Sequence, residues 1–134
     1  MRDNVNEMIS DSAVVAALRR QMTVSVARQV ASAGNLANVD TPGYRTKEAT
    51  FDETLANQMQ ASGATNARHI SLNQGGDGIK VSEVQGLEAR RDGNNVQLDR
   101  ELLSMGKAAG DFAAAQTALA AKFRLVRYAI NEGR

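Results

Sequence analysis

The sequence contains no cysteine, which rules out disulfides, thiol catalysis and zinc–thiolate sites together. The chain is therefore indifferent to redox compartment. Tryptophan is absent and aromatic residues make up only 4%, so few large side chains are available to fill a core. The 43% hydrophobic fraction overstates that core, because alanine supplies much of it. An excess of one charge is also missing. With 16 basic and 15 acidic residues the net charge is +1, which argues against a nucleic-acid-binding face. No apolar run approaches the roughly 18 to 20 residues needed to cross a bilayer, so direct membrane insertion is not expected. Residues 1–7 lack the apolar stretch of a secretory signal, and by itself this predicts a cytoplasmic protein.

Catalytic signatures are missing as well. His69 is the sole histidine, and catalytic groups come in constellations, not alone. Tyr44 and Tyr128 have no activating neighbours in the sequence. Gly75-Gly76-Asp77-Gly78 lacks the Lys-Ser/Thr ending of a phosphate loop, and Asp77 and Glu83 do not fit the spacing of a calcium loop. The expectation is a protein that is not an enzyme, with no cofactor, metal or small-molecule substrate.

What is present is helical periodicity at both ends of 134 residues. Over Val5 to Ala37, Val15, Leu18, Met22, Val26, Val30, Ala33 and Ala37 recur at steps of three and four. Their mean step, about 3.67 residues, is that of an 11-residue repeat and predicts little left-handed supercoiling. Val14 and Val24 lie off this seam and predict a second apolar face. Towards the C-terminus, Leu98, Leu102, Met105, Ala109, Phe112, Gln116, Leu119, Phe123, Val126 and Ile130 alternate steps of four and three without a break. That is a/d spacing sustained over four heptads, the pattern of a coiled-coil strand. A helix of this length spans about 50 Å, more than a small globule needs. The alanines around it both favour helix and allow close helix approach.

The expected fold is mainly α. Long terminal helices pair as a coiled-coil-like antiparallel hairpin around an irregular, partly β middle segment. The expected divisions are 1–45 for the first helix and its turn, 46–95 for a flexible middle region, and 96–134 for the closing helix, with both ends forming one structural domain. Within the middle, Phe51, Leu55 and Met59 predict a short helix. Residues 61–78 read as a loop, and Ile79, Val81, Val84 and Leu87 as extended pieces. So thin a core predicts a marginal monomer that gains stability from neighbours.

Two dense strings punctuate this plan. Asn35-Leu36-Ala37-Asn38-Val39-Asp40-Thr41-Pro42-Gly43-Tyr44-Arg45 falls where the first helix must stop. Pro42 excludes Thr41 from the α region, so the helix ends at or before Asp40. Pro42 and Gly43 then suit the two central positions of a type II turn. Asn38 and Asp40 can bond backbone groups that the ending helix leaves unpaired. Gly34 predicts fraying or a slight bend just before. Further on, Asp92-Gly93-Asn94-Asn95 predicts a turn into the last helix, with Asn95 or Asp99 as N-cap.

The first string strongly resembles the signature of the flagellar axial proteins, the rod, hook and hook-associated subunits. Asn35, Leu36, Ala37, Asn38, Asp40, Thr41, Pro42, Gly43, Tyr44 and Arg45 match its pattern. Val39 stands where a smaller residue is usual, and Gly34 where Ala, Ser or Asn is commoner. Asp92 to Glu101 resembles an Asp-Gly-Asn-x-Val-x-Leu/Met-Asp-x-Glu element of the B-type proximal rod proteins, and Ala67-Arg68-His69-Ile70 resembles a short His-Ile element of the same proteins. The C-type proximal rod proteins are the second choice. The resemblance implies export without a cleaved signal through the flagellar export gate, and assembly into the periplasmic rod of the basal body. The rod subunits form a drive shaft around an export channel. The implied partners are the chain itself, other rod subunits, the MS ring, the FliE adaptor and the export gate. The implied interface residues are Val15, Leu18, Met22, Val26 and Val30 against Leu98, Leu102, Met105, Phe112, Leu119, Phe123, Val126 and Ile130. A helical adaptor or chaperone that binds a partner through amphipathic helices is the alternative.

Overall fold

The computed structural model describes residues 2–52 and 78–132, with side chains from Asp11 onward in the first helix. Two long helices carry the fold, α1 (Arg2–Ala37) and α2 (Leu98–Glu132), with strands β1 (Lys47–Phe51) and β2 (Ile79–Glu83) between them. Among the described elements, the contact between α1 and α2 is the most extensive. This is the mainly helical hairpin with a partly β middle that the periodicity predicts. Helix propensity alone does not hold such long helices in water. Most of their stability comes from packing one against the other.

α1 continues without a break through Gly34 to Ala37, against the expected fraying. Its last turn tightens instead: Asn38 N–H donates to both the Gly34 and Asn35 carbonyls, at 3.2 and 3.1 Å, and Val39 N–H to Leu36. Shared bonds of this kind are how a helix end satisfies orphan groups. The turn then closes as expected. Tyr44 N–H donates to the Thr41 carbonyl at 3.3 Å, and Gly43 has φ of 73°.

β1 and β2 pair antiparallel, with Lys47 opposite Glu83 and Phe51 opposite Ile79. The expected extended piece near Ile79 is therefore β2, while Phe51 closes a strand where a helix was expected to begin. Pairing with Ile79 decides this, and Arg20 of α1 stacks over the Phe51 ring at 4.7 Å. The rest of that expected helix, the loop 61–77 and Arg68-His69-Ile70 lie outside the described residues. The ladder bonds Asp52 N–H to Gly78 and Val84 N–H to Thr46. Alternation then leaves the N–H and C=O of Lys47 and Ala49 on the outer edge of β1, where α1 lies.

α2 begins at Leu98, so neither Asn95 nor Asp99 is its N-cap. Asn95 is taken by Thr46, and Glu101 N–H bonds Gln97 O at 3.1 Å as the first turn closes. Asp99 and Glu101 sit in that turn, where negative charge suits the helix dipole. The core is small. Among the described residues the buried apolar ones are Val24, Ala49, Val96, Ala108 and Ala115, and the largest fully buried side chains are polar, led by Glu101, Asn35 and Asn94.

Candidate functional site

The end of α1, the start of β1 and the start of α2 converge on one buried polar knot, with Asn35 at its centre. Its Nδ2 donates to the Lys47 carbonyl at 2.8 Å and to Glu101 Oε2 at 2.9 Å. Its Oδ1 accepts from Lys47 N–H at 2.9 Å and from the Tyr44 hydroxyl at 3.2 Å. Accepting from the N–H and donating to the C=O of one residue is what a hydrogen-bonded neighbour in a sheet does. The Asn35 amide thus stands in for a third strand on the edge of β1. Seven residues earlier, Arg28 Nε donates to Ala49 O at 3.3 Å and covers the next outward carbonyl. One face of α1 closes that edge.

Glu101 is 1% exposed. A carboxylate so deep needs partners, and it has two. Asn35 serves one oxygen and Arg100 Nη1 the other, at 2.8 Å, while Arg100 Nη2 lies 3.5 Å from Glu48. Below it, Ser32 and Ser104 meet across the helices at 3.1 Å.

The Asp92–Asn95 turn locks onto the same site from the other side. Asn94, fully buried, donates through Nδ2 to the carbonyls of Asn38 at 2.8 Å and Thr41 at 2.9 Å. Its Oδ1 accepts from Val96 N–H at 2.8 Å. Asn95 Oδ1 accepts from Thr46 N–H at 2.7 Å, and Gly43 N–H donates to Asp92 O at 2.8 Å. Arg90 donates to the Val39 carbonyl. The two turns press backbone to backbone. A Cβ on Gly93 would lie 3.3 Å from Gly43 Cα, and Gly93 has φ of 82°. Glycine is required at Gly93 for both reasons.

Of the expected turn residues, Asn35, Asn38, Thr41, Gly43 and Tyr44 all take part. Asn38 donates to Gly34 O at 2.8 Å and accepts from Thr41 Oγ1 at 3.2 Å. Pro42 is exposed on the turn. Asp40 is exposed and adds no side-chain hydrogen bond among the described residues. Sequence reasoning missed Thr46, Asn94, Asn95 and Glu101 as partners of the first string, although it singled out the string that contains three of them.

The expected seam residues divide. Val15, Met22, Leu119 and Phe123 line one open groove between the helices, and Leu18, Met105 and Phe112 are half-buried. Val26, Val30, Leu98, Leu102, Val126 and Ile130 are exposed, Ile130 by 68%. The buried line of α2 is Glu101, Ala108 and Ala115, one position behind Leu102, Ala109 and Gln116. The knot pulls Glu101 inward, and small side chains let α1 approach on that line.

The described residues hold no cluster of three or more side chains suited to a metal, and no helix among them is long and apolar enough to cross a membrane. The cavity beside the knot, lined by Arg28, Ser32, Glu101 and Ser104 among others, is water-sized.

No family model matches the chain. Among curated proteins it is 31% identical over 116 residues to the flagellar basal body rod protein FlgB of Borrelia hermsii, covering 76% of this chain and 80% of that protein. It is 23% identical over 109 residues to FlgB of Bacillus subtilis (strain 168), covering 80% of this chain and 84% of that one. A two-helix hairpin tied by the Thr-Pro-Gly-Tyr turn defines the class, the structural subunits of flagellar axial assemblies. Within that class the chain belongs to the family of the basal body rod protein FlgB, the B-type choice that Asp92 to Glu101 indicates.

Proposed function

We infer that the chain is a structural subunit of the proximal rod and polymerises through its terminal helices into the drive shaft that surrounds the export channel. The observation that carries this reading is the apolar surface left uncovered on a single chain. Leu98, Leu102, Leu103, Phe123, Leu125, Val126, Tyr128 and Ile130 of α2 are exposed, with Val14, Val26 and Val30 of α1. So much exposed apolar surface is a mark of interaction sites, and covering it stabilises the folded form by mass action. The knot is polar and satisfied, so it shapes the subunit and leaves the exposed helix flanks, including Leu98, Leu102 and Leu103 beside it, to bind.

In this reading the subunit is exported through the flagellar export gate without a cleaved signal and works in the periplasmic part of the basal body. It meets the MS ring and the FliE adaptor on one side and further rod subunits on the other. Phe123→Asp tests it. Phe123 is 58% exposed, so its change is expected to alter the stability of the isolated chain by only about 0.5 kcal/mol. Rod formation and motility are lost while the variant still leaves the cell. Normal motility would refute the reading, and an equal loss of secretion would assign the residue to targeting. Leu119→Asp, at a half-buried position, is expected to lose chain stability as well as assembly.

A further inference from the structure

The open groove between α1 and α2 has a volume of about 460 Å³, with Val15, Met22, Leu119 and Phe123 as its apolar lining and Arg19 as its one charged side chain. Arg19 is exposed, and its guanidinium has no ion pair among the described residues. An apolar groove edged by a single cation suits an apolar group that carries an anion beside it. The start of α2 presents such a group. Asp99, Leu102 and Leu103 stand at i, i+3 and i+4 and share one face of the helix. All three are exposed, Leu102 by 54% and Leu103 by 75%. Asp99 has no ion pair among the described residues, because its neighbour Arg100 is engaged by Glu101 and Glu48. One turn on, Gly106 is exposed and a Cβ there would meet nothing within 4 Å, so another helix can approach this face closely.

We propose that the groove of one chain takes the Asp99–Leu102–Leu103 face of a second copy, with Arg19 of the first opposite Asp99 of the second. A chain cannot fill its own groove in this way. Leu102 and Leu119 lie on the same helix, about 25 Å apart along its axis. The other exposed acids with apolar neighbours fit less well. Glu132 follows Arg124 and Arg127 on α2, and Glu83 on β2 has a single exposed apolar neighbour, Val81, next to Lys80. Groove and face occupy different places on the chain, so a parallel copy engaged by its face keeps its own groove free for the next, and the contact propagates. This inference rests on the reading of the chain as a subunit that assembles, and names the two surfaces that meet.

Sedimentation velocity of the purified full chain over a range of concentrations tests it. Arg19→Glu and Asp99→Arg each set like charges against each other across the contact, and each is expected to weaken self-association roughly tenfold or more. The Arg19→Glu chain keeps the native face and the Asp99→Arg chain the native groove. An equimolar mixture of the two is therefore expected to associate again, because every unlike pair is complementary. Both positions are exposed, so the helical circular dichroism of each variant should stay as in the native chain. If Asp99→Arg loosens the first turn of α2, Arg19→Gln and Asp99→Asn carry the test, and the second change then adds no loss to the first. Single variants that associate like the native chain, a mixture that does not recover, or additive losses in the neutral pair would give the groove to a different occupant and overturn the proposal. So would a native chain that stays monomeric at every concentration. None of these results touches the rod reading, which motility of the Phe123→Asp strain decides separately.

Discussion

Replacing Asn35 with alanine is expected to cost about 3 to 5 kcal/mol of folding stability. The figure follows from what the truncation strands. Asn35 is fully buried and makes four hydrogen bonds, two to the backbone of Lys47, one to Glu101 and one to the Tyr44 hydroxyl. Tyr44 is half-buried, so its hydroxyl can turn to water at small cost. The Lys47 N–H and C=O face α1 and have no second partner in the ladder. Each is left unpaired at about 1 to 3 kcal/mol, and the Glu101 oxygen adds a similar amount because it is charged; the expected loss lies in the lower part of their sum of about 3 to 9 kcal/mol, because the chain relaxes around the truncation. Small domains are stable by only about 5 to 15 kcal/mol, and this one has few buried apolar side chains to draw on. Urea unfolding of the isolated chain, followed by far-UV circular dichroism, measures the loss. A loss below about 1 kcal/mol would mean that water replaces the amide freely and that the knot is not a dry contact. Asn35→Asp sharpens the test. It keeps the shape, removes both donors and faces Glu101 with a second carboxylate. Two like charges meeting in a buried site are unfavourable, so the loss is expected to exceed that of Asn35→Ala.

Gly93→Ala should destabilise by about 1 to 3 kcal/mol, combining positive φ with a Cβ against Gly43. Gly86→Ala has nearly the same φ and open space around it, so it should cost only about 1 kcal/mol. Equal losses in parallel thermal melts would mean that the contact between the two turns is slack. Asn94→Asp retains the acceptor for Val96 and removes both donors to the Asn38 and Thr41 carbonyls. About 2 to 4 kcal/mol is expected, with faster hydrogen exchange at Val96 and Gly43. Unchanged exchange at Gly43 would separate the two turns energetically.

Much of this architecture is legible in the sequence where the determinants are local. Pro42 and Gly43 mark the end of α1 and the turn, and Gly93 marks its counterpart. The periodic apolar residues of 98–130 announce a long helix. The inward face of that helix is not legible in the same way. Apolar spacing selects Leu102, whereas Glu101 is buried because Asn35, 66 residues away, supplies an amide. β1 is equally hidden, since Lys47-Glu48-Ala49-Thr50-Phe51 has two charged residues and one large apolar one. It becomes a strand through Ile79–Glu83 on one side and the α1 side chains on the other. Both asparagine-rich strings are visible as turns, but that they are halves of one knot depends on tertiary placement.

Closure of the β1 edge by Asn35 and Arg28 bears on how this chain avoids the wrong polymer. The chain carries a two-stranded ladder, and an open ladder edge recruits strands from other copies. On β1 that edge is occupied from within the chain. The opposite edge belongs to β2, five residues long and bearing Lys80 and Glu83, whose charges discourage stacking of extended segments. Growth by strand addition is thereby suppressed, which favours the helix flanks as the route of the assembly proposed above.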